Sequence, residues 1–228
     1  MLTVVLTRHG GTPRSNPEQH LGQHLDLPLS DAGRAQAAAL GRRLAGVSFE
    51  RVIASPLRRA VETARLIEPG REPETDPRLL EMDYGAWEGL TYEQVAARDG
   101  AARLLWEADP AGLACPGGES GNEVATRIRS FLQATVQATE SAAGGSPPTD
   151  HRILVVSHST TSRILLCVAL GVRIREYRRR FIQDPANLTV LRFDGPASLG
   201  AQALLMNDVA HLRGLVGATW ADKGATQA

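Results

Sequence analysis

Three short signatures in this 228-residue chain could do chemistry together: Arg8-His9-Gly10, Ser55 followed by Arg58-Arg59, and Ser157-His158. Their residue types suit phosphoryl transfer. A neutral imidazole is a competent nucleophile near pH 7 when one ring nitrogen is unprotonated and the other is tied up, for instance by a backbone carbonyl. His9 is the candidate nucleophile, and it would carry a phosphoramidate that water attacks in a second step. Arg8, Arg59 and His158 are the candidate holders of the charged oxygens. A guanidinium grips phosphate in a bidentate fork that an ammonium cannot form, and Lys223 is the only lysine in the chain. The leaving oxygen needs a proton, for which Glu81 is the candidate, with Asp83 a close rival. Arginines nearby favour the ionised form of Glu81 and a bound phosphate dianion the protonated one, so it becomes an acid mainly in the substrate complex.

Each signature follows an apolar, β-branched run that reads as a strand: Leu2 to Leu6, Arg51 to Ala54, and Ile153 to Val156. Helical spacing follows each run. Ser30 is the expected N-cap of a first helix ending near Gly46. Ser55-Pro56 is expected to cap a second that runs to Ile67, and Ser159 to Leu170 forms a third. Thr91 to Asp99 and Ala101 to Glu107 read as two short helices. Ser120 to Glu123 has capping-box spacing, and Ser141 to Asp150 reads as a surface loop. Leu188 to Phe193 and Gln202 to Met206 complete the strands. Strands alternating with helices predict a three-layer α/β/α sandwich around a mainly parallel sheet, whose ligands bind beyond the carboxyl ends of the strands. Three different strand ends would then deliver basic groups to one edge. The expected organisation is a single domain over 1–215, with a helical insertion at about 85–120 and a flexible tail over 216–228.

At this point the motifs resemble those of the histidine phosphatase superfamily, in its phosphoglycerate-mutase-like branch. Leu-Thr-Arg-His-Gly at 6–10 is followed by Leu27-Pro28-Leu29-Ser30 with Gly33 and Gln36, then by Ser55-Pro56-Leu57-Arg58-Arg59-Ala60 with Thr63-Ala64. Glu81 with Tyr84-Gly85-Ala86-Trp87-Glu88-Gly89 and Val155-Val156-Ser157-His158 come next, in the expected order. The resemblance implies a phosphohistidine at His9, a pocket of Arg8, Arg59 and His158, Glu81 as proton donor, and no metal or cofactor. Two positions depart from the pattern. The glutamate that often follows Arg-His-Gly is Gly11, and the slot for a phosphate-touching asparagine falls on Ser15, with Asn16 one step later. Both stay candidates, with Arg14, Gln23, Tyr84 and Ser159 as further substrate-binding candidates.

The same site serves two outcomes. Cofactor-dependent phosphoglycerate mutases follow Tyr-Gly with Leu-x-Gly-Leu-Asn-Lys and later carry Trp-Arg-Arg. Here those stretches read Trp87-Glu88-Gly89-Leu90-Thr91-Tyr92 and Leu105-Trp106-Glu107, without the basic residues. That favours a phosphatase of small phosphorylated metabolites, with mutase-type transfer and a catalytically inactive binding protein of the same fold as the alternatives. Other residues have plainer readings. His20 and His24 sit four apart but lack a third ligand, so a loop role near the pocket mouth is expected. Trp87 and Trp106 read as packing, Arg58 and Arg178 to Arg180 as solvated, Cys167 as core and Cys115 as exposed. Lys+Arg and Asp+Glu both number 25, which gives nucleic acid or an anionic membrane no electrostatic handle. No apolar stretch has membrane-spanning length and no leader pattern is present, so a cytoplasmic enzyme is expected, with association into a homodimer left open.

Overall fold

The computed structural model describes residues 1–15, 17–143, 150–194 and 199–215. Its strands are β1 (Leu2–Arg8), β2 (Arg51–Ala54), β3 (Glu74–Thr75), β4 (His151–Ser157), β5 (Leu188–Phe193) and β6 (Ala201–Asp208). They form one sheet in the order β3-β2-β4-β1-β5-β6. β1 runs parallel to β4, and β2 parallel to both β4 and β3, whereas β5 is antiparallel to β1 and β6 to β5. The sheet is therefore mixed: a parallel four-stranded half extended by an antiparallel pair.

The helices are α1 (Asp31–Arg43), α2 (Arg58–Ile67), α3 (Tyr92–Ala108), α4 (Gly121–Ala143), α5 (Ser159–Leu170) and α6 (Tyr177–Arg180). Side chains alternate along a strand, and here the alternation separates two cores. Val4, Leu6, Ile153 and Val155 pack with Ile128, Phe131 and Leu132 of α4 and Ile164 and Leu165 of α5. Val5, Leu154 and Val156 pack with Leu40 of α1 and Ala60, Ala64 and Ile67 of α2. Each valine, leucine, isoleucine or phenylalanine among them, fully buried, contributes about 1.5–3 kcal/mol. Helices thus cover both faces, which is the three-layer arrangement expected.

Local signals account for most helix ends. Ser30 caps α1 by accepting from Gly33 N, and Gly171 closes α5 in the left-handed region at φ 68°. Ser120 and Glu123 make the reciprocal bonds of a capping box at the start of α4. The break expected near residue 100 between two short helices is present inside α3, where Asp99 leaves helical geometry and accepts a bond from Trp87 Nε1. Two details differ from expectation. α2 starts at Arg58 behind Leu57 rather than at Pro56, and the Ser55 hydroxyl, which accepts from Leu57 N at 3.4 Å, lies closer to His158 Nε2. α4 extends to Ala143, into the stretch read as a loop, and 144–149 lie outside the described residues.

Candidate active site

Strand register decides which residues meet. Arg8 pairs with Ser157 and Ala54 with Val156, so the residues just beyond these strands share one edge of the sheet. His9 N donates to Ser157 O at 2.9 Å and Ser55 N to Val156 O at 2.9 Å. The His9 and His158 rings consequently lie 5.1 Å apart, edge to face. The turn after β1 is tight. A Cβ on Gly33 of α1 would run into the carbonyl oxygen of Gly11, and one on Gly10 into that of Gly33. Only glycine lets α1 come this close to the loop behind His9. Gln36, buried on α1, holds the Gly11 N–H at 2.9 Å.

His9 is 4 % exposed, and its Nδ1 lies 2.7 Å from Gly10 O. With Nδ1–H donating to that carbonyl, Nε2 keeps its lone pair. Burial, then the charges of Arg59 and Arg8, hold the imidazole well below its usual pKa, against the smaller opposing effect of the Gly10 bond. His158 is wholly buried and shifted the same way by burial, Arg59 and His9. Its Nε2 lies 2.7 Å from Ser55 Oγ, and Ser55 Oγ also accepts, at 3.4 Å, from Leu57 N.

Three buried donors around the imidazoles have no hydrogen-bond partner among the described residues: Arg8 Nε, Arg59 Nε and His158 Nδ1. The terminal nitrogens of both guanidinium groups do have partners. Arg8 reaches Gln183 O at 3.1 Å and Glu18 at 3.4 Å, while Arg59 reaches the carbonyls of Leu25, Leu21 and Gly22. Leaving buried donors unpaired costs about 1–3 kcal/mol each. Unpaired N–H donors of this kind suit an anion such as a phosphoryl group.

Glu81 sits under the first turn of α5. Its Oε1 accepts from Met82 N, Thr161 N and Thr161 Oγ1, whereas Oε2 accepts, among the described residues, only from Thr160 N, at 3.1 Å. Oε2 is thus the oxygen with room for a proton. Asp83 is spent elsewhere, on Gly85 N and His24 Nε2.

A cleft of about 560 Å³, open mouth included, is lined by Arg8, His9, Arg14, Ser15, Glu81, Tyr84 and Ser159 among the residues singled out in the sequence. Arg59 and His158 are fully buried and do not line it. Gln23 does not line it: its amide holds Glu81 O at 2.9 Å and Glu119 at 3.1 Å, so it positions the backbone of the acid. Asn16 lies outside the described residues. Glu18, Gln19, His20, Leu21, Tyr92, Thr160 and Arg163 also line the cleft and were not assigned to it from sequence, beyond His20's expected place near the mouth. Arg163 had a usable signal, because it stands four residues after Ser159 and three after Thr160 on α5.

His20 is buried, bonded through Nδ1 to Leu90 O, and packed against Tyr84 and Tyr92. Among the described residues, the side chains that could hold a cation are instead His24, Asp83 and Glu88, whose ligand atoms lie within 4.8 Å of one another. None of the three lines the cleft, and the His24 side chain is 71 % exposed. A wider depression lined by Asp109, Arg129, Cys167, Arg173 and Arg175 offers no nucleophile, since burial pushes the Cys167 thiol up to about 12. Cys115, expected to be exposed, is 1 % exposed and packs in the core, with its thiol likewise pushed up to about 12.

An α/β sheet whose strand ends gather two imidazoles, two guanidinium groups and a carboxyl group around unpaired donors belongs to the phosphoryl-transfer enzymes. Residues 4–207 match the model of the histidine phosphatase superfamily, branch 1, and the chain belongs to that superfamily. It is 36 % identical over 174 residues to a glucosyl-3-phosphoglycerate phosphatase of Mycolicibacterium vanbaalenii, covering 75 % of each chain. It is 27 % identical over 214 residues to phosphoserine phosphatase 1 of Hydrogenobacter thermophilus, covering 93 % of this chain and 95 % of that one. The solved structure of a mycobacterial glucosyl-3-phosphoglycerate phosphatase superposes with a TM-score of 0.79 at 31 % identity, over 90 % of this chain and 98 % of that one.

Proposed function

We propose that this chain is a metal-independent phosphomonoesterase of small phosphorylated metabolites, working through a phosphohistidine on His9. The observation that carries the reading is the trio of buried, unpaired donors, Arg8 Nε, Arg59 Nε and His158 Nδ1, beside an imidazole whose Nδ1 is committed to Gly10 O.

In the first step the Nε2 lone pair of His9 forms the N–P bond while the P–O bond to the leaving group breaks. The departing oxygen takes the proton of Glu81 from Oε2. Arg8, Arg59 and His158 hold the equatorial oxygens, where charge gathers in the transition state. Ser55 serves this by donating its hydroxyl proton to His158 Nε2, which leaves Nδ1–H to face the phosphoryl group. In the second step a water oxygen attacks phosphorus, its proton passes to Glu81, and the N–P bonding pair returns to His9. The sum is ester plus water giving alcohol plus phosphate.

Hydrolysis of an aryl phosphate in the presence and absence of EDTA tests this. Turnover should persist with EDTA and fall by about 10³-fold or more in His9→Ala. Loss of activity with EDTA, or a His9→Ala enzyme as fast as the wild type, would overturn the reading. Comparing alcohol with water as acceptor separates hydrolysis from mutase-type transfer.

A further inference from the structure

Arg163 lines the cleft, yet its guanidinium makes no hydrogen bond, ion pair or aromatic contact among the described residues, and its Nε is buried. The other arginines of the cleft are engaged. Arg8 faces Glu18, and Arg14 faces Gln19 at 3.2 Å. A partly buried cation without a counter-charge is unfavourable in the free protein, and an anion placed opposite it gains a charge-assisted, bidentate partner. Arg163 stands four residues after Ser159 on α5, about 6 Å further along the helix axis and on the same face. The phosphoryl group is already assigned to Arg8, Arg59 and His158, so Arg163 is left for a different part of the substrate.

The geometry points to Arg163 as a specificity-determining residue that binds a second anionic group, a carboxylate a few bonds from the phosphate, which makes phosphorylated hydroxy acids the preferred substrate class. This rests on the phosphatase reading and deepens it. The stretches where a mutase would carry its second set of cations read Thr91-Tyr92 and Trp106-Glu107 here; Arg163 comes from a different element. Planarity matters in such a pair, so lysine should replace arginine only in part.

The experiment compares 3-phosphoglycerate with glycerol 3-phosphate, which lacks the carboxylate. In the wild type, kcat/KM for the acid should exceed that for the neutral-tailed ester by about ten- to a hundredfold. Arg163→Gln should bring the ratio close to one, chiefly through KM for the acid, and Arg163→Lys should lie between. A wild-type ratio of one or below, or an Arg163→Gln enzyme that loses both activities equally while melting like the wild type, would overturn the assignment. Calorimetric binding of both esters to His9→Ala, alone and combined with Arg163→Gln, reads the same preference without turnover. Equal affinities would sink the Arg163 proposal even in an active phosphatase. Conversely, a carboxylate preference in binding with no hydrolysis by the wild type would sink the phosphatase reading alone.

Discussion

Ser55 illustrates how much a single side chain's choice of partner matters. Serine before proline at a strand end has the look of a helix cap, and its hydroxyl does accept from Leu57 N at 3.4 Å, but it lies closer, at 2.7 Å, to His158 Nε2. That bond sets which nitrogen of His158 carries the proton, and therefore whether Nδ1 can donate to a phosphoryl oxygen. Ser55→Ala leaves a buried imidazole nitrogen unsatisfied and both tautomers accessible. The expected loss in kcat/KM toward an aryl phosphate is about tenfold, the size of one buried hydrogen bond to a polar ring. Nitrogen-15 correlation spectra should show a single tautomer of His158 in the wild type and a mixture in the variant. Unchanged kinetics with an unchanged spectrum would mean that Ser55 has no part in orienting His158. The acid is decided by the same kind of detail. Asp83, its neighbour in sequence, gives its oxygens to Gly85 N and His24, while Glu81 keeps one lightly engaged oxygen at the cleft.

At the scale of elements, α5 joins the parts of the site. Its first turn presents Thr160 N, Thr161 N and the Thr161 hydroxyl to Glu81, and the face running from Ser159 to Arg163 forms a wall of the cleft. Helix N-termini favour negative charge, which anchors the carboxylate without a lysine or arginine in direct contact. Thr161→Val keeps the shape and removes a hydroxyl that bonds both Leu80 O and Glu81 Oε1. It should cost about 1–3 kcal/mol in urea unfolding and slow alkyl phosphates more than aryl phosphates, because only the former need the proton. An equal slowing of both classes would show that the turn supports the fold and not the acid. This turn also marks where the sequence stops being legible. The strands that end in Arg8, Ala54 and Ser157 announce themselves as apolar runs followed by chemistry, so the sheet edge and its imidazoles can be read directly. The two-residue β3 has too little pattern to be seen, and the antiparallel placing of β5 beside β1 depends on tertiary pairing. Gln23 looks like a pocket residue by position, but loop geometry turns its amide to the backbone of Glu81 and to Glu119. Glu18, Gln19 and Tyr92 reach the cleft only because the loop after β1 folds across the start of α3, which no local spacing encodes.

Across the whole molecule, keeping the site's imidazoles buried and unprotonated makes stability depend on pH. His9 and His158 are both held well below the ordinary imidazole value, by burial first and then by Arg59, and His20 and His211 shift the same way through burial. In the unfolded chain each of them titrates near 6.5. Between that value and the depressed folded ones, the unfolded state binds more protons than the folded state. Stability is therefore at its full value above about pH 6.5 and declines as the pH falls from there toward the folded values. Each histidine adds a slope of up to about 1.4 kcal/mol per pH unit while only its unfolded form is protonated. The lowered carboxyl groups of Glu74 and Asp76 act in a lower window, below their ordinary values of 4.5 and 3.8, so the two effects separate on the pH axis. Urea midpoints measured from pH 7.5 down to 5 should fall steadily in the wild type. His158→Gln should flatten the profile in that range, whatever it does to stability at pH 7.5. A wild-type profile flat from 7.5 to 5 would mean that the buried imidazoles accept protons in the folded state, and His9 would then lose its lone pair in the same range. The nucleophile's readiness and the protein's acid sensitivity thus have one origin: the same burial and the same Arg59 charge hold His9 unprotonated and make acid favour the unfolded chain.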